Sequence, residues 1–176
     1  MSDVKEIPQG TFPYIPWDPS LDSKHACGVP SSIRTHEHWK GKKVVLFSVP
    51  GAFTPTCHAS HLPPYLEKHA ELKALGVDVV AVISANDLFV LSGWARFEGI
   101  TDEIIAISDV NGAWSKALGE ALGFEGTLDL TARGLGVRTN RYALVIDDLK
   151  VTYVGVEKEP GVSVSGVDAV LEALKK

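Results

Sequence analysis

Six residues, Val44 to Val49, form a run in which only Ser48 is polar, and the run stops at Pro50-Gly51. A segment this short and apolar, closed by a turn pair, reads as a buried strand. The next residues, A-F-T-P-T-C-H-A-S-H to His61, start a helix that carries one cysteine, Cys57. The first N–H groups of a helix have no intrahelical partner and their dipoles favour negative charge, so a cysteine there is biased toward the reactive thiolate. Pro55 suits the first helical turn, where its missing N–H breaks no bond. Thr54 before it is a good N-cap type, so its hydroxyl is expected to face the same open end as the sulfur. The alternative is that Cys57 is a small buried hydrophobe, as unpaired cysteines usually are.

With 176 residues, 45% of them apolar, the chain suits a single domain over residues 1–176. A net charge of −5 without clustered Lys and Arg argues against nucleic acid and fits a small neutral substrate. No stretch approaches the ~18 apolar residues of a membrane span, and the opening M-S-D-V-K-E-I-P has no secretory pattern. A soluble, cytoplasmic protein is expected. The ending Leu174-Lys175-Lys176 is not a peroxisomal S-K-L address, although peroxisome and mitochondrion stay open. Two cysteines, Cys27 and Cys57, are too few for a secreted disulfide framework and too far apart for a C-x-x-C pair.

The rest of the chain alternates strands with helices. Gly10 to Asp18, with two internal prolines, predicts an edge strand or extended arm, Leu21 to Val29 a loop holding Cys27, and Pro30 to Trp39 a short strand. His58 to Leu75 reads as a helix with Leu62, Tyr65, Leu66, Leu72 and Leu75 on one face, kinked at Pro63-Pro64 and stopped by Gly76. Val77 to Ser84 predicts a buried strand. Asn86 to Phe97 predicts a helix capped by Asn86 or Asp87, with Phe89, Val90 and Trp94 inward. A strand at Ile104 to Ile107, a helix from Ala113 to Leu122 ended by Gly123, a hairpin (Tyr142–Ile146 and Val151–Val156) and a helix at Val167 to Leu174 complete the order. Such an order implies an α/β layer with a mixed central sheet.

P-G-A-F-T-P-T-C, Pro50 to Cys57, resembles the active-site signature of the peroxiredoxins, and its wording is closest to the peroxiredoxin-5-like branch with its fungal and plant type II enzymes. G-V-D-V-V-A-V-I-S-A-N-D (Gly76 to Asp87), the Trp94 segment and N-R-Y-A-L-V-I-D (Asn140 to Asp147) match the same branch in the same order, so the resemblance covers nearly the whole chain. It implies the thioredoxin fold, with an N-terminal extension and a C-terminal hairpin plus helix. It also implies a thiol-dependent peroxidase of hydrogen peroxide and alkyl hydroperoxides, working without a cofactor or metal.

Attack on an O–O bond needs an ionised sulfur, charge stabilisation for the departing oxygen, and an outlet for the oxidised sulfur. The resemblance assigns the first to Cys57, which becomes a sulfenic acid. It assigns hydrogen bonding to Thr54, and a cation to Arg141, since the family carries an arginine just before the aromatic residue of the late strand. Backbone N–H groups near Thr56 and Cys57 assist, and Pro50 walls the pocket. Arg133 and Arg138 compete for the arginine role, and Leu128, Leu130 and Leu135 are candidates for the pocket rim.

The outlet defines the subtype. Pro160 to Gly166, where animal relatives carry a late cysteine, has none, and neither has Val80 to Ile83, where plant-like relatives place one. Some fungal members have a cysteine about thirty positions upstream, and Cys27 is similar to that one. The resemblance then implies a homodimer in which Cys27 of the other subunit resolves Cys57, with thioredoxin or glutaredoxin as reductant. The alternative is resolution by an external thiol such as glutathione.

Three other readings compete. Cys57, His58 and His61, with His25 beside Cys27, suggest zinc, but only His61 shares the helix face of Cys57, and two ligands are too few. A Cys–His hydrolase needs a base that sequence alone does not pair with Cys57. A non-catalytic thioredoxin-like module or a redox sensor is the third.

Overall fold

A computed structural model describes residues 5–176 of the chain. Met1 to Val4, part of the opening used in the argument on export, lie outside the described residues. In chain order the elements are β1 (Thr11–Tyr14), β2 (Ser31–Arg34), the single turn α1 (Thr35–His38), β3 (Lys43–Ser48), a π-helical turn (Cys57–His61), α2 (Leu62–Glu67), α3 (His69–Ala74) and β4 (Val79–Ser84). There follow α4 (Leu88–Phe97), β5 (Ile105–Ser108), α5 (Ala113–Leu122), β6 (Thr127–Asp129), β7 (Val137–Thr139), β8 (Tyr142–Asp147), β9 (Lys150–Val156) and α6 (Val167–Leu174).

The central sheet has the order β5-β4-β3-β8-β9. β3 is its middle strand, parallel to β4 and antiparallel to β8, so the sheet is mixed and the fold thioredoxin-like, as expected. Alternation along β3 separates two cores: Val45 and Phe47 point to the face covered by α2, α3, α4 and α6, and Val44 and Leu46 to the face covered by α5 and the N-terminal segment. All four are fully buried, each worth about 1.5–3 kcal/mol relative to exposure. That anchorage makes the C-terminal end of β3 a firm base for the turn that follows. No helix among the described residues is long and apolar enough to cross a membrane.

Several local expectations are corrected. Gly10 to Asp18 does supply an edge strand, as expected, but in a ribbon separate from the central sheet, where β1 pairs antiparallel with β2. The helical stretch after Cys57 breaks at Lys68 (φ −100°, ψ 15°) rather than at the prolines. Pro63 falls in the first turn of α2, where no intrahelical N–H is required, and the wider turn before it closes through the Leu62 N–H to the Cys57 carbonyl. In α4, Asp87 is the cap, accepting from the N–H groups of Phe89 and Val90. With that start the buried face falls on Leu91 and Trp94, and Phe89 and Val90 turn to solvent.

Candidate active site

Cys57 follows β3 by one turn, and three features fix that turn. Gly51 is packed so closely that a Cβ there would lie 3.0 Å from Thr54 Cγ2 and 3.1 Å from Arg138 Nη1. Phe53 takes the left-handed conformation (φ 59°), unusual for a bulky residue and affordable where the surroundings over-determine it. Asn86, at the end of β4, accepts three bonds at Oδ1: from the Ala52 N–H (2.9 Å), the Ser84 hydroxyl (2.9 Å) and Arg138 Nη1 (3.3 Å). Sequence reading gave Asn86 only a possible capping role.

Thr54 stands just before the helical turn, as expected, but its hydroxyl does not cap it. The hydroxyl donates to the Gly51 carbonyl at 2.6 Å, which leaves its oxygen free to accept. The first intrahelical bond runs from the His58 N–H to the Thr54 carbonyl at 2.9 Å. The N–H groups of Thr56 and Cys57 come before it and have no helical partner.

The Cys57 side chain is 1% exposed, and its sulfur accepts a hydrogen bond from Arg141 Nη2 at 3.2 Å. Of the three candidate arginines, Arg141 is therefore the one that reaches the sulfur. Arg138 instead donates to the carbonyls of Leu135 (2.6 Å) and Pro50 (3.2 Å), bracing the turn, and Arg133 is exposed. Leu135 is exposed as well, and the segment that carries it meets the site through its carbonyl rather than its side chain.

His61 shares the face of Cys57, as its spacing predicts, but its partners are not those of a metal ligand. Nδ1 accepts from Arg141 Nη1 at 2.9 Å, and Nε2 donates to the Ser165 carbonyl at 2.9 Å. Since an arginine only donates and a carbonyl only accepts, the ring is neutral with its proton on Nε2. Burial pushes the His61 pKa down to about 4, with the Arg141 charge adding to the effect against the opposing Ser165 hydrogen bond. His58 lies on the other side, its Nδ1 facing both Trp94 Nε1 at 3.1 Å and Glu98 Oε1. Cys27 is exposed and unbonded, on a loop whose carbonyls at Ser23 and Ala26 accept from Arg96 of α4 at 2.7 and 2.9 Å.

A buried sulfur facing a guanidinium, with unpaired N–H groups beside it, is equipped to attack an electron-poor atom and then exchange with other thiols. That chemistry defines a thiol-dependent oxidoreductase. The Redoxin family model matches residues 5–171. A fungal relative from Malassezia furfur, described as a peroxiredoxin, is 53% identical over 152 residues, covering 86% of this chain and 88% of its own. Among solved structures, reduced Prx3 from Vibrio vulnificus in complex with hydrogen peroxide superposes with a TM-score of 0.82 at 34% identity, covering 99% and 96% of the two chains. Peroxiredoxin 5 from Alvinella pompejana gives 0.76 at 28% identity, covering 99% and 98%. The chain belongs to the peroxiredoxins, in the peroxiredoxin-5-like branch, and is a thiol-dependent peroxidase.

Proposed function

We propose that Cys57 is the sulfur that meets the peroxide. The carrying observation is its burial against Arg141 at 3.2 Å, which sets a fixed positive donor beside the atom that must become anionic. The sulfur forms a bond to one peroxide oxygen as the O–O bond breaks. The other oxygen leaves as alkoxide or hydroxide and takes a proton, giving alcohol or water, while Cys57 becomes a sulfenic acid. Arg141 offsets the negative charge as it moves from sulfur to the departing oxygen. Thr54, its hydrogen committed to Gly51, accepts from the peroxide O–H. The N–H groups of Thr56 and Cys57 add donors, and Pro50 limits water. The Vibrio vulnificus relative crystallised with hydrogen peroxide supports the substrate class.

The sulfenic acid is then condensed with the Cys27 thiol of a partner subunit in a homodimer, releasing water and leaving an intersubunit disulfide. Thioredoxin or glutaredoxin reduces that disulfide by exchange, which suits a reducing, cytosolic setting. The exposed position of Cys27 supports this, since a resolving thiol must be reachable. Cys57→Ser is expected to abolish peroxide consumption, and retained turnover would overturn the assignment. After one equivalent of peroxide, non-reducing electrophoresis is expected to show a linked dimer that disappears in Cys27→Ser. Persistence of the dimer in that variant, or unchanged turnover with glutathione alone, removes Cys27 from the cycle. Turnover assayed with thioredoxin and then glutaredoxin identifies the electron donor.

A further inference from the structure

The loop between β9 and α6 carries no residue of the proposed chemistry, yet a hydrogen-bonded path leads from it to the sulfur. Its anchor is Glu157. The carboxylate accepts four bonds: at Oε1 from the Ser163 N–H (2.6 Å), the Ser165 N–H (2.8 Å) and the Ser165 hydroxyl (2.8 Å), and at Oε2 from the Ser163 hydroxyl (2.7 Å). Glu157 is tied to the other end of the path as well, because its own N–H donates to the Arg141 carbonyl at 3.0 Å. The knot turns the Ser165 carbonyl inward, where it accepts from His61 Nε2 at 2.9 Å and from the Tyr65 hydroxyl at 2.7 Å. Gly155 lets the loop lie this close: a Cβ there would be 2.1 Å from the Val164 carbonyl oxygen.

We infer that Glu157 is a positioning residue for the peroxidase site: by holding the Ser165 carbonyl against His61 it keeps the ring proton on Nε2, and so leaves Nδ1 as the acceptor that aims Arg141 at Cys57. The inference rests on the reading of Cys57 and Arg141 given above. Its logic is donor and acceptor matching. With the proton on Nδ1, His61 would present a hydrogen to Arg141 Nη1, which has only hydrogens to offer, and the guanidinium would lose the contact that orients it. A guanidinium displaced by about 1 Å can cost roughly 100-fold in rate, so the alignment has kinetic weight. The charged or titratable groups facing His61 are Arg141, Cys57, Tyr65 and Glu157. Tyr65 stays protonated, its pKa raised by burial and by Tyr153 and Glu157, and Glu157 stays ionised, because the bonds from Ser163 and Ser165 outweigh its burial.

Glutamine is the discriminating substitution, since it keeps the shape of Glu157 but has one acceptor oxygen for four donors. Peroxide-driven oxidation of Cys57 in Glu157→Gln is expected to slow about 10-fold, the loss associated with one misplaced charged hydrogen bond. Ring ¹⁵N spectra, with the His61 signals assigned through His61→Gln, are expected to show only the Nε2–H form in the native protein and a mixture of tautomers in Glu157→Gln. The His61-dependent acid limb of the rate profile should also move to lower pH in the variant, because the Ser165 hydrogen bond and the Glu157 charge both raise the His61 pKa and both are weakened. Ser165→Ala, which removes only one donor to Glu157, should change each readout in the same direction by less. A slower rate with an unchanged His61 tautomer and unchanged acid limb would reduce Glu157 to a loop brace and overturn the inference, as would native behaviour in every readout. The tautomer is read without turnover, so failure of the Cys57 assignment, shown by an active Cys57→Ser, is separable from failure here.

Discussion

The two cysteines sit in opposite kinds of surroundings. Cys57 is closed in by a turn that Gly51, Asn86 and Arg138 hold from three sides, and its sulfur has a guanidinium that is itself held by a neutral histidine. Cys27 is exposed, on a loop fastened to the body by two bonds from one arginine, Arg96. The difference matches the two tasks proposed for them. Attack on peroxide gains from groups fixed before the substrate arrives, whereas a resolving thiol has to travel to the sulfur it meets.

The largest break in that contrast should come from Arg141→Ala. Losing a fixed donor to a developing charge typically costs roughly 10²–10³-fold, so stopped-flow oxidation of Cys57 should fall by that factor while the folded state survives. A drop below threefold would show that the cation is dispensable.

Acid should act next. The unfolded chain takes a proton on His61 below the ordinary value of 6.5, the native protein only below about 4, so between these the unfolded state binds more protons. The His61 contribution is therefore whole above about pH 6.5 and is lost as pH falls through about 4. The gap is worth on the order of 3 kcal/mol. Urea denaturation across that window should show the loss in the native protein and much less of it in His61→Gln.

Asn86→Ala leaves the Ala52 N–H, the Ser84 hydroxyl and Arg138 without their shared acceptor. A cost of about 1–3 kcal/mol in unfolding free energy is expected, with a slower peroxide step as the turn loosens. The smallest effect belongs to Arg96→Ala. Its two bonds join a half-buried guanidinium to loop carbonyls, each contributing about 1 kcal/mol or less. Amide exchange over residues 23–27 should quicken and the peroxide step stay unchanged. A slowed peroxide step would mean that the two regions are not as independent as their contacts suggest.

Much of this was readable in the sequence because it is local. The apolar run before Pro50-Gly51 gave β3, the spacing of Leu62, Tyr65 and Leu72 gave the buried face behind Cys57, and Asp87 capped α4 as one of two candidates. Arg141 came from its place before Tyr142 in a family pattern. What escaped depends on contacts that no periodicity encodes. Ser165 meets His61 from 104 positions away, and Asn86 reaches Ala52 across 34. The inward placement of Phe89 and Val90 failed for a related reason: an apolar residue near a helix start fits either face until the cap fixes the rotation.

The bare backbone of Gly155 has a consequence for anyone altering this molecule. A single methyl there would press on the Val164 carbonyl and push the neighbouring Ser165 off its histidine. An edit on an outer strand, chosen as harmless because it is remote from the chemistry, would detune, through four intervening handshakes, the thiol proposed to react.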